Sequence, residues 1–283
     1  MKILVKPVKD VKQYKEADGF VLPLKEYSVD YRNYYSLEEI KNIKQEYVEK
    51  EIFIVINKMM ENDDIDKLRN ILLEIEKFDI SGIFFYDLSI LELSKELKIK
   101  TDLVWNNTHM VTNYYTCDYY YNEGVNYAYL SNEITLEDIL DINNKSKITP
   151  ILMLLGYPVV SFSKRKLVSN SNFKDEIIIN EEKSKQRYLV FEDKNGTTFK
   201  YNKIRNNAIC LKELINNNFP YVYLIEDDID HDKFISGLKL TSNLINNTID
   251  EKQYIANMKE LFGSDTGFLY RKTIYKVTKK WKE

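Results

Sequence analysis

Cysteine, histidine, glycine and proline are all scarce in this chain. Its 283 residues include 2 cysteines, 2 histidines, 8 glycines and 5 prolines. The cysteines, Cys117 and Cys210, are too few for a disulfide framework. They also cannot supply the roughly four ligands of an iron–sulfur cluster, so no cofactor is expected. His109 and His231 stand alone, without a His-x-x-x-His or Cys-x-x-Cys spacing, so no metal site is expected either. The glycines are scattered. No Gly-x-Gly-x-x-Gly follows an apolar run, which argues against a dinucleotide fold, and no phosphate-binding loop is visible. The Gly-x-Ser-x-Gly elbow of serine hydrolases is missing. No window approaches the about eighteen uninterrupted apolar residues of a membrane span. The opening MKILVKPVKD has an apolar core too short for a signal peptide. Charge of one sign is lacking as well. Lys+Arg is 41 and Asp+Glu is 44, a net of −3, so the chain is no general polyanion binder, although a local basic patch stays open. These absences lead us to expect a cytoplasmic globular protein with no membrane part.

What is present is a rhythm. Apolar, β-branched runs at 3–5, 19–22, 52–56, 82–86, 102–105, 127–130, 149–155 and 221–225 alternate with amphipathic helical patterns. Most runs are apolar nearly throughout, as in strands buried on both faces of a parallel sheet. Among the helical patterns, Ser36 with Glu39 forms a capping box, and Thr135 with Asp138 is a variant of it. Ile65, Leu68, Leu72 and Ile75 fall on one helical face. Eight such strands predict one α/β domain over 1–283, a (β/α)₈ TIM-type barrel, with a doubly wound open sheet as the alternative. The rhythm breaks over 157–207, after the seventh run. There RYLVFEDKNGTTFKY reads as a β-hairpin insertion turning at Lys194-Asn195-Gly196. A barrel would put this insertion on the carboxyl-end face, where active-site loops gather. A C-terminal helix and extension are expected over 250–283.

Polar residues just past the strand ends are the candidates for a site. They include Asn57, Asp87, the Asn106-Asn107-Thr108 run, Asn113, Asn132-Glu133, Tyr157, the Ser163-Lys164-Arg165 run and the Glu226-Asp227-Asp228 run. Each is also an ordinary cap or turn residue. A carboxylate at a strand end can act as a base, which singles out Glu133, with Asn106 and Asn113 beside it as catalytic candidates. Asp87, Ser163, Lys164 and Arg165 are ligand- or RNA-binding candidates, and Tyr114 and Tyr115 could stack on an unpaired base. Asn106, Asn113, Glu133, Ser163 and Arg165 are expected to share one cleft. Arg271, Lys272, Lys276, Lys279, Lys280 and Lys282 could meet phosphates. Against these readings, lysines commonly form a solvated face, and a chain with 22 tyrosines uses many in its core. Cys117 lies in a helical pattern and reads as a buried, inert thiol. Asp265-Thr266-Gly267 matches the aspartic-protease tripeptide, but those enzymes need two copies and only one occurs.

WNNTHMVTNYYTCDYYYNEGV followed by AYLSNEITLEDI resembles the collagenase-like peptidase family, the U-thirty-two peptidases, and closely its short branch lacking cluster cysteines. LLGYPVVSFSKRKLVSN, LVFEDKNGTTF and SDTGFLYRKTIYKV are similar to later family segments, in the same order. The family's His before Gly is Leu155 here, and Val159 and Lys166 stand where two cluster cysteines would be. Cys210 matches a family cysteine without its partners. The resemblance implies a barrel and participation in tRNA wobble-uridine hydroxylation, forming 5-hydroxyuridine together with a larger paralogous chain. A collagenase-like peptidase, or a non-catalytic interaction subunit, are the alternatives. Whether this chain is itself an enzyme stays open at this point.

Overall fold

The structure is a computed structural model that describes residues 1–107, 109–173, 176–182 and 186–271. Its strands, in chain order, are β1 (Lys2–Lys6), β2 (Gly19–Pro23), β3 (Glu51–Ile56), β4 (Gly82–Phe85), β5 (Leu103–Trp105), β6 (Tyr127–Tyr129), β7 (Thr149–Gly156), β8 (Val159–Ser163), β9 (Glu176–Asn180), β10 (Arg187–Asp193), β11 (Gly196–Tyr201), β12 (Arg205–Asn206) and β13 (Tyr221–Ile225). β1 to β7 and β13 pair in parallel, each with its neighbour, and β13 joins β1 to β7. The sheet is therefore closed, and the fold is a (β/α)₈ TIM-type barrel. The short β12 bonds antiparallel to β7 from outside.

The near-continuous apolar runs follow from this closure. Alternate side chains point into the barrel and out toward the helices, and both faces are buried. Leu4, Val21, Phe53, Phe84, Tyr129, Met153 and Tyr223 fill the interior. Ile3, Val5, Leu22 and Ile54 pack outward under the helices. The interior is largely aromatic. Phe53 meets Phe84 edge-on at 5.8 Å between ring centres, and Tyr129 meets Tyr223 at 5.7 Å. Tyr129, Tyr221 and Tyr223 of the barrel strands are thus core, and each contributes about 2 kcal/mol or more through burial.

The helices begin where their caps predict. Ser36 and Glu39 exchange both capping-box bonds at the start of Leu37–Glu46. Thr135 and Asp138 do the same for Leu136–Lys145, so aspartate serves as well as glutamate here. Leu68, Leu72 and Ile75 of the helix Ile65–Ile75 are buried, as its periodicity requires.

The inserted segment holds more than a hairpin. β10 and β11 pair as expected, from Tyr188 opposite Tyr201 to Asp193 opposite Gly196. β8 and β9 flank them in a four-stranded antiparallel sheet ordered β8-β11-β10-β9. The Asp193 carboxylate accepts from the backbone N–H of Asn195 at 2.7 Å and closes the turn. The Asn195 side chain then donates to the Ser28 carbonyl at 3.1 Å, tying the hairpin tip to the loop after β2. Gly196 has φ +148°, and a Cβ there would lie 2.1 Å from the Ser163 carbonyl. We expect Gly196→Ala to destabilise the fold by about 1–3 kcal/mol, read as a lowered urea midpoint. An unchanged midpoint would mean that the close β11–β8 approach is not required.

No helix among the described residues is long and apolar enough to cross a membrane. The basic positions from Lys272 to Lys282 lie outside the described residues, as does Thr108.

Candidate functional site

The carboxyl ends of the barrel strands open into a cavity of about 250 Å³. The loop after β2, the residues ending β3 to β7 and β13, and strands β8 and β11 of the inserted sheet line it. The insertion therefore stands on the face where the sequence pattern puts it. Alternation along β11 decides its contribution. Thr198 and Lys200 turn toward the barrel and are buried, while Phe199 between them faces the other way and lines an outer groove with Val190.

Beside the cavity lies a buried ion network. Lys6, the last residue of β1, is completely buried, and its ammonium donates to Asp227 and to the Asn33 side chain. Lys200 comes in from the other side, 3.2 Å from Asp228 and 3.8 Å from the second Asp227 oxygen. Arg32 continues the chain of charges, 2.6 Å from Asp228 and 2.8 Å from Glu176, with its guanidinium 3.9 Å above the Phe191 ring. Burial lowers the Lys6 pKa despite the attraction of Asp227. For Asp227, burial works toward a raised pKa, but Lys6 and Lys200 outweigh it and hold the carboxyl below its ordinary range. The neighbouring Glu226 serves structure. It accepts from the Val8 N–H at 2.9 Å and pairs with Tyr14 and His231, pinning the loop after β1.

Asp30 is the second carboxylate on the cavity wall. Its backbone is left-handed, with φ +75°. Asn57 holds the preceding residue, accepting from the Val29 N–H at 2.9 Å and donating to its carbonyl at 3.3 Å. The Thr198 hydroxyl donates to the Asp30 carboxyl at 3.2 Å. Burial pushes the Asp30 pKa up to about 7, against the smaller pull of Thr198 and Lys200. The rest of the wall is aliphatic, aromatic and amide, with Met59, Met153, Val160 and Ile225 among the aliphatic residues. Tyr86, Tyr129 and Tyr157 supply rings, and Asn57, Asn106 and Asn132 supply amides.

The sequence-derived candidates divide. Asn106 lines the cavity, and among the described residues its side chain makes no hydrogen bond to protein, leaving the amide free for a ligand. Glu133 is exposed and lies in a small adjoining recess with His109, Tyr201 and Arg205. Asn113 is the N-cap of the helix Tyr114–Asn122, accepting from the Thr116 N–H at 2.9 Å. Asp87 accepts from the N–H groups of Met60 at 2.9 Å and Ser89 at 3.0 Å. Lys164 pairs with Glu61, and the Ser163 hydroxyl accepts from the Arg165 N–H at 3.2 Å. Tyr114 and Tyr115 stack on each other at 4.6 Å, with the Lys145 amine 5.3 Å from the Tyr114 ring. None of Asn113, Tyr114, Tyr115, Ser163, Lys164 and Arg165 lines the mouth cavity. Asp30, Tyr31, Lys6 and Lys200 were not singled out by sequence. Asp227 was, as a residue past the last strand. Position after a strand finds Asp227, but only packing finds a lysine on an inserted hairpin.

Both thiols are buried, and burial pushes each up to about 12. The Asp265-Thr266-Gly267 tripeptide serves packing. Gly267 sits against the Arg205 guanidinium, which donates to the Thr266 carbonyl at 3.2 Å. No group of three or more His, Cys, Asp or Glu able to hold a metal occurs among the described residues.

Comparison with known proteins finds a family match and several similar chains. The tRNA hydroxylation protein P2 of Bacillus subtilis (strain 168) is 24% identical over 259 residues, covering 79% of this chain and 81% of that protein. Solved structures that align with this chain include a chitinase from Rhizomucor miehei, at TM-score 0.43 and 11% identity over 87% of this chain and 100% of that one. The spore cortex-lytic enzyme SleL of Bacillus cereus is another, at TM-score 0.43 and 11% identity over 85% of this chain and 74% of that one. The model of Peptidase family U32 matches residues 10–200, more than half of the chain, and the chain belongs to that family.

Proposed function

We propose that this protein is a component of tRNA hydroxylation, forming 5-hydroxyuridine at the wobble position together with a larger paralogous chain. The observation that carries this reading is the mouth cavity, whose aromatic rings and free Asn106 amide suit an extruded base. The likeness to the tRNA hydroxylation protein of Bacillus subtilis supports it. A peptidase needs an activated nucleophile or a metal-bound water. Both thiols are buried, with burial pushing each up to about 12, and no metal-holding group occurs among the described residues, so neither a cysteine nor a metal-bound water supports the peptidase reading.

Nucleoside mass spectrometry of tRNA from a strain lacking the gene tests the proposal. We expect 5-hydroxyuridine and its derivatives to fall and to return when the gene is restored. Unchanged levels would sink the proposal. Affinity purification of the chain at native abundance should bring down the larger paralogue in stoichiometric amount, and its absence would remove the partner from the reading.

A further inference from the structure

We propose that Asp30 recognises the imide edge of a uracil base inserted into the mouth cavity. The inference rests on the RNA-modification reading above and names the contact that would hold the base.

Two carboxylates line the cavity, and their surroundings differ. Asp227 is ion-paired with Lys6 and Lys200. Asp30 has no lysine or arginine within ion-pair distance among the described residues, and its hydrogen bond is the one from Thr198. The network beside it is already balanced. Lys6, Lys200 and Arg32 are met by Asp227, Asp228 and Glu176, three cations against three carboxylates. An ionised Asp30 would add a charge without an ion-pair partner, which shifts the group toward the neutral acid. This agrees with a pKa pushed up to about 7 by burial.

A neutral carboxyl presents a hydroxyl donor beside a carbonyl acceptor. Uracil presents an N–H flanked by carbonyls, so the two edges match in a paired hydrogen bond. An ionised carboxylate offers acceptors only and repels the uracil carbonyl. The left-handed Asp30 backbone is held by the Asn57 clamp on Val29 and by the Thr198 bond. Such a conformation persists where its surroundings over-determine it, and here it aims a carboxyl at an open space. The Tyr86 and Tyr157 rings offer faces for the base, and the Asn106 amide offers a further polar contact.

Recognition should therefore weaken as Asp30 ionises. The charged and titratable groups around it are Lys200 on β11, Asp193 at the β10–β11 turn, Asp227 after β13, Lys6 on β1, His109 after β5, and Tyr31 and Tyr34 of its own loop. Variants of Asp30 itself separate its contribution from theirs. Asp30→Asn keeps a donor and an acceptor but does not titrate. Asp30→Gly removes the group and relaxes the left-handed backbone.

Fluorescence anisotropy with labelled anticodon stem–loops carrying wobble uridine or wobble cytidine, from about pH 6 to about pH 8.5, tests this. The wild type should lose about tenfold in affinity for the uridine stem–loop across the range. Asp30→Asn should bind with a flat profile, and Asp30→Gly should be about tenfold weaker than wild type at the low end. In cells, Asp30→Gly should fail to restore 5-hydroxyuridine to the deletion strain. An Asp30→Gly protein that binds and restores like wild type overturns the inference, as does an Asp30→Asn protein with the wild-type pH profile. If the wild type binds neither stem–loop, the inference falls, and the nucleoside measurement decides separately whether the RNA-modification reading survives. If deletion leaves the nucleoside untouched, both fall.

Discussion

Replacing Asp227 by asparagine is expected to cost the folded state about 3–5 kcal/mol, because it strands two buried ammonium groups with one carboxylate between them. Lys6 and Lys200 are both almost fully buried, and Asp227 is the residue they share. Urea unfolding of the purified chain reads the loss as a lower midpoint with unchanged slope. A paired variant isolates the cause. Lys6→Met together with Asp227→Leu removes both charges and should recover much of the loss, since apolar groups of similar size replace buried ion pairs without large penalty. If the double variant is as unstable as the sum of the singles, the ion pair is not the source.

The pH dependence has a definite sign. The Asp227 carboxyl is held below its ordinary value in the folded state, so its contribution is complete above the unfolded value of about 3.9. It is lost as pH falls from there through the folded value. Lys6 is lowered in the folded state, so the unfolded chain holds the extra proton between the folded value and about 10.4. Stability then rises with pH in that window. The Asp227→Asn variant should thus lack the wild type's steep acid loss, and its deficit should shrink toward alkaline pH.

The second large effect is expected at Asn106, and it separates binding from folding. Asn106 lines the mouth cavity with a side chain that makes no hydrogen bond to protein among the described residues. Asn106→Leu should leave the unfolding midpoint within about 0.5 kcal/mol of wild type, because no internal bond is broken. Under the proposed function it should lower 5-hydroxyuridine in the complemented deletion strain about tenfold or more, because a ligand group that needs a polar partner would meet a methyl group. Full restoration by a stably folded Asn106→Leu chain would remove the amide from the site. A parallel fall in stability and modification would instead assign Asn106 to the fold.

Periodicity and spacing were enough to read the barrel. Eight runs buried on both faces, joined by helices with recognisable caps, have few other ways to satisfy their backbones and bury their side chains. The Asn195-Gly196 turn likewise announced a hairpin, because Asp193, Asn195 and Gly196 form that turn from local bonds alone. Local chemistry also explains several candidates that the structure turns into caps. Asn113 and Asp87 sit next to helices, and a side chain that can reach its own backbone N–H groups usually does.

Tertiary structure alone put Lys200 and Asp30 on the cavity wall and Lys6 beside it. Lys6 reads as the polar end of a first strand, and Lys200 as one more lysine in a polar hairpin. Their burial depends on strand β1 meeting β13 and on which face of β11 turns inward. Asp30 lies in a loop whose residues show no period, and its place is set by the bond of the preceding Val29 to Asn57, 28 residues along, and by its own bond from Thr198, 168 residues along. Sequence pattern records what neighbours in the chain do to one another. Burial of a charge is a property of groups brought together from far apart, and it exists only once the barrel has closed and the inserted sheet has covered its mouth.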